Sequence, residues 1–255
     1  MVDLSRIAEQ EQLEIARSAD EARNTVLKLS TDLDRYLNPP ADTAYPLEYA
    51  YYPLGDVRGK TVLDIGCGSG ENLVSLTQRG ARAIGIDISP ELMTLAQRRL
   101  DGHGSSATLQ VGSAYETGLP DRSVDVVFCI ALVHHLQIPL VREEMRRILK
   151  ADGTIIVSEP IRFSGSYARL RNLLPAAEDV SDFEHPLTLS EVDELVQGFD
   201  TEGTRYFRLP LVPLVQRTPF AASRMPWRLS NWALQKLPFL EHYATIVVMK
   251  LKNRR

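Results

Sequence analysis

Thr61-Val62-Leu63-Asp64-Ile65-Gly66-Cys67-Gly68-Ser69-Gly70 joins an apolar run to three glycines at alternate positions. Thr61 to Ile65 reads as a buried strand, and Glu71 to Arg79 as a helix stopped by Gly80. A glycine-rich turn between strand and helix lets the backbone approach a ligand closely. Two nucleotide readings compete for such a turn. The NAD fingerprint G-x-G-x-x-G, counted from Gly66, meets Glu71 where the third glycine belongs. A carboxylate there repels the pyrophosphate that a helix N-terminus normally holds. S-adenosylmethionine carries an ammonium, a carboxylate and a sulfonium but no phosphate, so an acidic turn suits it. Asp64, at the strand end, can serve the ammonium through a charge-assisted hydrogen bond. Asp87 lies about 20 residues beyond the glycines, where a carboxylate takes ribose hydroxyls.

Downstream the pattern alternates. Strands are expected at Arg82–Ile86, Ala107–Val111, Ser123–Ile130 and Thr154–Ser158. Helices are expected from the Ser89 cap to Leu100 and from Pro139 to Lys150. Strands apolar on both sides, alternating with helices, argue for a mostly parallel sheet covered on both faces. Upstream, residues 3 to about 35 read as one helix, stopped by Asn38-Pro39-Pro40, and a linker with Tyr45, Tyr49, Tyr51 and Tyr52 follows. Beyond Glu159, Thr188 and Glu191 form a capping box with Leu187 and Val192 as a hydrophobic staple. Further strands are expected near Thr204–Leu209 and Ala244–Leu251, with a proline-punctuated insertion between them.

VLDIGCGSG, AIGIDIS, DVVFCIALVHHL and LKADGTIIVSEP, in that order, resemble the successive motifs of class I S-adenosylmethionine-dependent methyltransferases. The resemblance spans about residues 45–160. It implies an α/β fold: a Rossmann-like, doubly wound, seven-stranded sheet with the last strand antiparallel. Residues 1–58 then form an N-terminal helical lid and linker, and 59–160 the S-adenosylmethionine-binding core. Residues 161–255 complete the sheet and carry acceptor-cap insertions at about 161–187 and 210–240. The resemblance places Asp64, Gly66, Gly68 and Gly70, with Cys67 in the same turn, at the methionine moiety, and Asp87 at the ribose. Ser113 stands where the family often has an Asp near the adenine amine, and the Ala114 backbone is an alternative partner for the ring. Ile130 and Ala131 match the segment under the methyl donor. Ile88 and Met93 are candidates for packing on the adenine.

Methyl transfer is an in-line displacement at a carbon activated by positive sulfur, so alignment and exclusion of water do much of the work. An acceptor that loses a proton needs a base, and histidine suits neutral pH. His134 and His135 follow the fourth strand at the edge where ligands bind in this architecture. His135 matches a histidine often seen there in the family; one of the pair serving as a structural hydrogen bonder is the alternative. Glu159, ending the fifth strand, is a third candidate. Neighbouring side chains diverge and no third ligand is evident, so no metal site is expected. The linker tyrosines are candidates for closing over the sulfonium or, alternatively, for packing.

The 255 residues carry a net charge of −4, with 44% hydrophobic and 24% charged residues, which fits a globular enzyme without the basic excess of a duplex-binding protein. No nucleic-acid partner is expected. Two cysteines, Cys67 and Cys129, make no disulfide framework. The charged N-terminus and the lack of a long apolar run point to the cytoplasm. From Gly203 to Leu240 there is no acidic residue, while six basic residues and five Trp or Phe residues occur. That stretch reads as a cap over the acceptor cleft, with peripheral membrane contact as the sharper alternative. The expected activity is methyl transfer to a small-molecule acceptor, apolar or anionic. A donor-binding protein without turnover, a lipid or quinone methyltransferase docking on a membrane, and an NAD-linked oxidoreductase are the alternatives.

Overall fold

A computed structural model describes residues 4–29, 32–162, 185–210, 212 and 224–254. Seven strands form one sheet: β1 Thr61–Ile65, β2 Arg82–Asp87, β3 Thr108–Val111, β4 Val124–Ile130, β5 Leu149–Pro160, β6 Phe199–Phe207 and β7 Ile246–Asn253. Their order is β3-β2-β1-β4-β5-β7-β6. β1 to β5 pair in parallel, and β7 lies antiparallel between β5 and β6. The doubly wound sheet with its last strand reversed, expected above, is what the chain forms. The strand order reverses between β1 and β4, and a crevice at that point is where open α/β sheets bind ligands.

Alternation along the strands splits the core in two. Leu63, Ile65, Val127, Cys129, Ile155 and Val157 point to one face, where α6 (Ile138–Ile148) lays down Val141, Met145 and Ile148. Val62, Val126, Phe128 and Ile156 point to the other, against α3 (Pro46–Tyr51) and α4 (Glu71–Gln78). Helix α5 (Pro90–Gly102) starts at Ser89, whose hydroxyl accepts from Leu92 N at 3.2 Å, with Pro90 in the first turn. Helix α7 (Leu189–Val196) opens on the anticipated capping box: Thr188 Oγ1 accepts from Glu191 N and Glu191 Oε2 from Thr188 N.

Two differences from the sequence reading have physical causes. The N-terminal helix is two pieces, α1 Leu4–Asn24 and α2 Asp34–Leu37. The break begins at Thr25-Val26, β-branched residues with low helix propensity. There Leu29 packs on Gly102, where a Cβ would stand 2.7 Å from Leu29 Cδ2. Strand β6 starts at Phe199, ahead of Thr204, because it is an edge strand whose Asp200 to Thr204 face solvent and give no apolar signal. Most of the expected cap at 161–187 and part of that at 210–240 lie outside the described residues.

Candidate active site

The glycine turn is built to bring backbone to a ligand. Gly66, Gly68 and Gly70 all take positive φ, at 70°, 51° and 80°. At Gly66 a Cβ would lie 2.6 Å from Leu132 Cδ1, and at Gly70 2.8 Å from Ala96 Cβ, so both positions exclude a side chain. Asp87, at the end of β2, fixes the turn from the side. Its Oδ2 accepts from Gly68 N at 2.8 Å and its Oδ1 from Ser89 N at 3.0 Å. Arg99 of α5, itself buried, holds the far side by donating to Ser69 O at 2.8 Å.

Asp64 sits behind this turn at 1% exposure, with only the Asn72 side chain near enough to act on it and no hydrogen bond of ordinary length to either carboxylate oxygen. Burial pushes its pKa up to about 8; Asn72 alongside offsets part of that, and Asp87 adds to it. A buried carboxyl so short of donors is costly unless something positive reaches it. Asp87 is also raised by burial, against the hydrogen bonds from Ser89 and Gly68.

A cavity of about 290 Å³ opens over the ends of β1, β2 and β4. From the core it is lined by Gly66, Asp87, Ile88, Ala114, Ala131 and His135, with Tyr115, Leu132 and Leu136 as apolar wall. Its other side is α1, through Gln10, Glu11, Glu14, Arg17, Ser18 and Glu21. The lining thus carries the carboxylates Glu11, Glu14, Glu21 and Asp87 against the single guanidinium of Arg17. Ala131, at φ 53°, takes the left-handed backbone region that an alanine rarely adopts. Its N–H still donates to Ser158 O at 2.8 Å, which ties the turn after β4 to β5.

The two histidines separate by partner. His134 Nδ1 lies 2.8 Å from Glu159 Oε2, and Glu159 Oε1 accepts from Leu132 N and Val133 N at 2.9 and 2.8 Å. Glu159 is fully buried. Instead of facing an acceptor, as expected from its strand-end position, it acts as an internal clamp on the loop after β4. His135 faces the cavity, with Nδ1 3.4 Å from Glu14 Oε1 and its carbonyl accepting from the Gln10 side chain. That histidine holds the Glu14 carboxyl below the usual range. The imidazole rings stand 4.1 Å apart, so His134 also backs its neighbour.

Of the other anticipated contacts, Gly66, Asp87, Ile88 and Ala114 line the cavity; Asp64, Cys67, Gly68, Gly70, Ser113 and Ile130 do not. Cys67 turns into the core, its sulfur 3.5 Å from Met93 Sδ, which takes both side chains away from the ligand. Burial raises the Cys67 thiol far above its usual pKa. The Ser113 hydroxyl donates to Glu11 Oε1 at 2.6 Å and accepts from Tyr115 N. The linker tyrosines pack elsewhere: Tyr51 against Phe128 and Asn72, Tyr49 against Phe207, and Tyr45 against Trp227. The sequence reading expected an N-terminal lid but not which of its residues reach the site, because Gln10 meets His135 across 125 residues and polar helix positions carry no trace of their partner. Among the described residues no cluster of three His, Cys, Asp or Glu is placed to hold a metal.

A profile of the methyltransferase domain family matches residues 63–157, which run from β1 through most of β5. Over this stretch the chain is similar to class I S-adenosylmethionine-dependent methyltransferases. The chain is 34% identical over 160 residues to a demethylmenaquinone methyltransferase of Tropheryma whipplei, covering 56% of this chain and 65% of that protein. It is 28% identical over 118 residues to a ubiquinone biosynthesis O-methyltransferase of Actinobacillus pleuropneumoniae, covering 44% and 50%. The chain therefore spans between half and just under two thirds of these relatives. Among solved structures, a geranyl diphosphate C-methyltransferase of Streptomyces coelicolor superposes with a TM-score of 0.61 at 14% identity, covering 95% of this chain and 97% of that one. At that identity the likeness is one of fold.

Proposed function

We propose that this protein transfers the methyl group of S-adenosylmethionine to a small-molecule acceptor. The observation that carries the reading is the charge of the cavity beside the glycine turn. Four carboxylates face one guanidinium there. A dinucleotide would bring a pyrophosphate into that field; a donor with a sulfonium and an ammonium brings net positive charge. Asp87 and the Gly66 backbone would hold the ribose and the methionine end, and Ala114 with Ile88 the adenine. Asp64 would answer the ammonium. When bound, the donor supplies a methyl carbon activated by positive sulfur.

The chain's own residues then align, exclude water and move a proton. Tyr115, Leu132 and Leu136 keep that side of the cavity apolar. His135 is the residue positioned to accept an acceptor's proton, since its imidazole faces the cavity with Glu14 alongside. His134 and Glu159 are positioning residues, fixing the loop on which His135 stands. The apolar wall and the names of the matched relatives make apolar, quinone-like metabolites the first acceptors to test.

Calorimetry with S-adenosylmethionine, S-adenosylhomocysteine and NAD tests the donor, with binding of the first two expected. Binding of NAD alone would overturn the reading. A metabolite-extract screen with isotopically labelled donor, read by mass, then identifies the acceptor. Tight donor binding with no labelled product from any extract would favour a donor-binding protein without turnover.

A further inference from the structure

Helix α8 (Met225–Lys236) is inverted relative to an ordinary surface helix. It buries Ser230, Asn231 and Leu234 and turns outward Met225, Leu229 and Trp232, which are 69%, 53% and 56% exposed. Phe239, just beyond, is 63% exposed. Positions 225, 229, 232 and 236 follow helical spacing and share one stripe, and Arg228 falls within it. The buried polar residues account for the orientation. Ser230 Oγ accepts from Leu209 N at 2.8 Å, while Asn231 accepts from Arg205 at 2.7 Å and donates to Asp42 O at 3.1 Å. These bonds lock the helix so that its apolar stripe faces solvent.

The charge on the helix itself is one-sided, with the acidic neighbours Asp42 and Glu241 flanking it. Arg224, Arg228 and Lys236 are exposed, and no Asp or Glu occurs between Gly203 and Leu240. Elsewhere the chain is acidic overall, at −4. Apolar residues and a tryptophan interleaved with exposed cations are the composition of a helix that lies in a bilayer interface. Among the described residues no helix is long and apolar enough to cross a membrane.

Topology adds the position. β6 is antiparallel to β7 and so runs with β1 to β5, which puts its end at Phe207 on the sheet edge that carries Gly66, Asp87 and Ala131. The segment holding α8 leaves from that edge, and the Ser230–Leu209 bond keeps the helix beside it. A surface bound by α8 would therefore lie towards the same end of the sheet as the cavity, at the β6 edge.

We propose that the outward face of α8, with Phe239, docks this protein on an anionic lipid surface. The proposal stands apart from the reading of the cavity, because its test involves no methyl transfer. The full chain is mixed with vesicles of phosphatidylcholine alone or with added phosphatidylglycerol, at low and high salt, and bound protein is measured by flotation with tryptophan emission as a second readout. Binding to the anionic vesicles is expected, with a blue shift, weakening as salt rises. Arg228→Gln with Lys236→Gln should lower the partition coefficient about 25-fold, at roughly fivefold per charge. Leu229→Glu with Trp232→Glu should lower it by about 100-fold or more. All four substitutions fall on exposed side chains, so melting temperatures should match wild type. Absence of binding to anionic vesicles, equal binding to neutral ones, or binding indifferent to both double variants would overturn the proposal. So would a concentration-dependent dimer abolished by Leu229→Glu with Trp232→Glu in a protein that ignores vesicles, since a second copy would then cover the face.

Discussion

Replacing Asp64 by Asn should stabilise the donor-free protein and weaken its grip on the donor. The Asp64 carboxyl titrates at about 8 in the fold, against an ordinary value of 3.8. Because the folded value is the higher one, the stability it contributes is complete below pH 4 and is lost as pH rises towards 8. Over that window the unfolded chain has shed a proton that the folded chain keeps, at about 1.4 kcal/mol per pH unit. Asparagine does not titrate, so the variant escapes the loss. Between pH 5 and 8 the stability of Asp64→Asn relative to wild type should grow by up to about 4 kcal/mol, which for a chain of this size is on the order of 10 °C in melting temperature. Urea unfolding of both proteins at pH 5, 6, 7 and 8 measures this. Donor binding should show the reverse side of the same group. If the ammonium needs the carboxylate, binding at pH 7 releases about 0.9 proton from Asp64, and wild-type affinity, corrected for the donor's own amino titration, rises about 25-fold from pH 6 to 7.5. Calorimetry in buffers of different ionisation enthalpy reads both quantities. The Asn variant should bind about tenfold more weakly or worse at pH 7.5, with a flat pH profile. Unfolding free energies that run parallel from pH 5 to 8, or a wild-type affinity unchanged between pH 6 and 7.5, would refute the reasoning.

Replacing His135 by Asn should slow turnover about 100-fold while leaving donor affinity within about threefold; unchanged turnover removes the base from the scheme. Glu159→Gln keeps the shape but gives up the charge that receives two backbone N–H groups and His134, and thermal unfolding should show a loss of about 2–4 kcal/mol. In Gly66→Ala the new methyl meets Leu132 in a left-handed backbone, so donor binding should fall at least about tenfold in calorimetry, at a stability cost of about 1–3 kcal/mol.

The sheet was legible because its strands are buried on both sides. Val124, Val126, Val127 and Phe128 can sit only in a covered parallel strand, and β4 begins within one residue of its expected start. The capping box at Thr188 and Glu191 was legible for a different reason: both halves of that interaction lie three residues apart. What the sequence concealed is long-range and polar. The Ser113 hydroxyl was read toward an adenine and is taken by Glu11, 102 residues earlier. Glu159 looked free at a strand end and is spent on two amides and an imidazole. The tyrosines after Asn38 invited a role at a sulfonium, but Tyr51 is 1% exposed inside the opposite half of the core. Carboxylates and hydroxyls state what they can bond to, and only the fold states which partner arrives first.

The bare face of Gly66 rests against Leu132, so two loops from different strands are cut to one another's shape. One carries the turn assigned to the donor and the other leads into His134 and His135. Change at 132 is bounded by its partner: Gly66 cannot take on bulk, since its φ of 70° strains any side chain, so residue 132 must keep a shape that fits a bare glycine. An engineer randomising residues 131–136 to broaden the acceptor range would therefore loosen cofactor retention as a side effect, unless position 132 is held fixed.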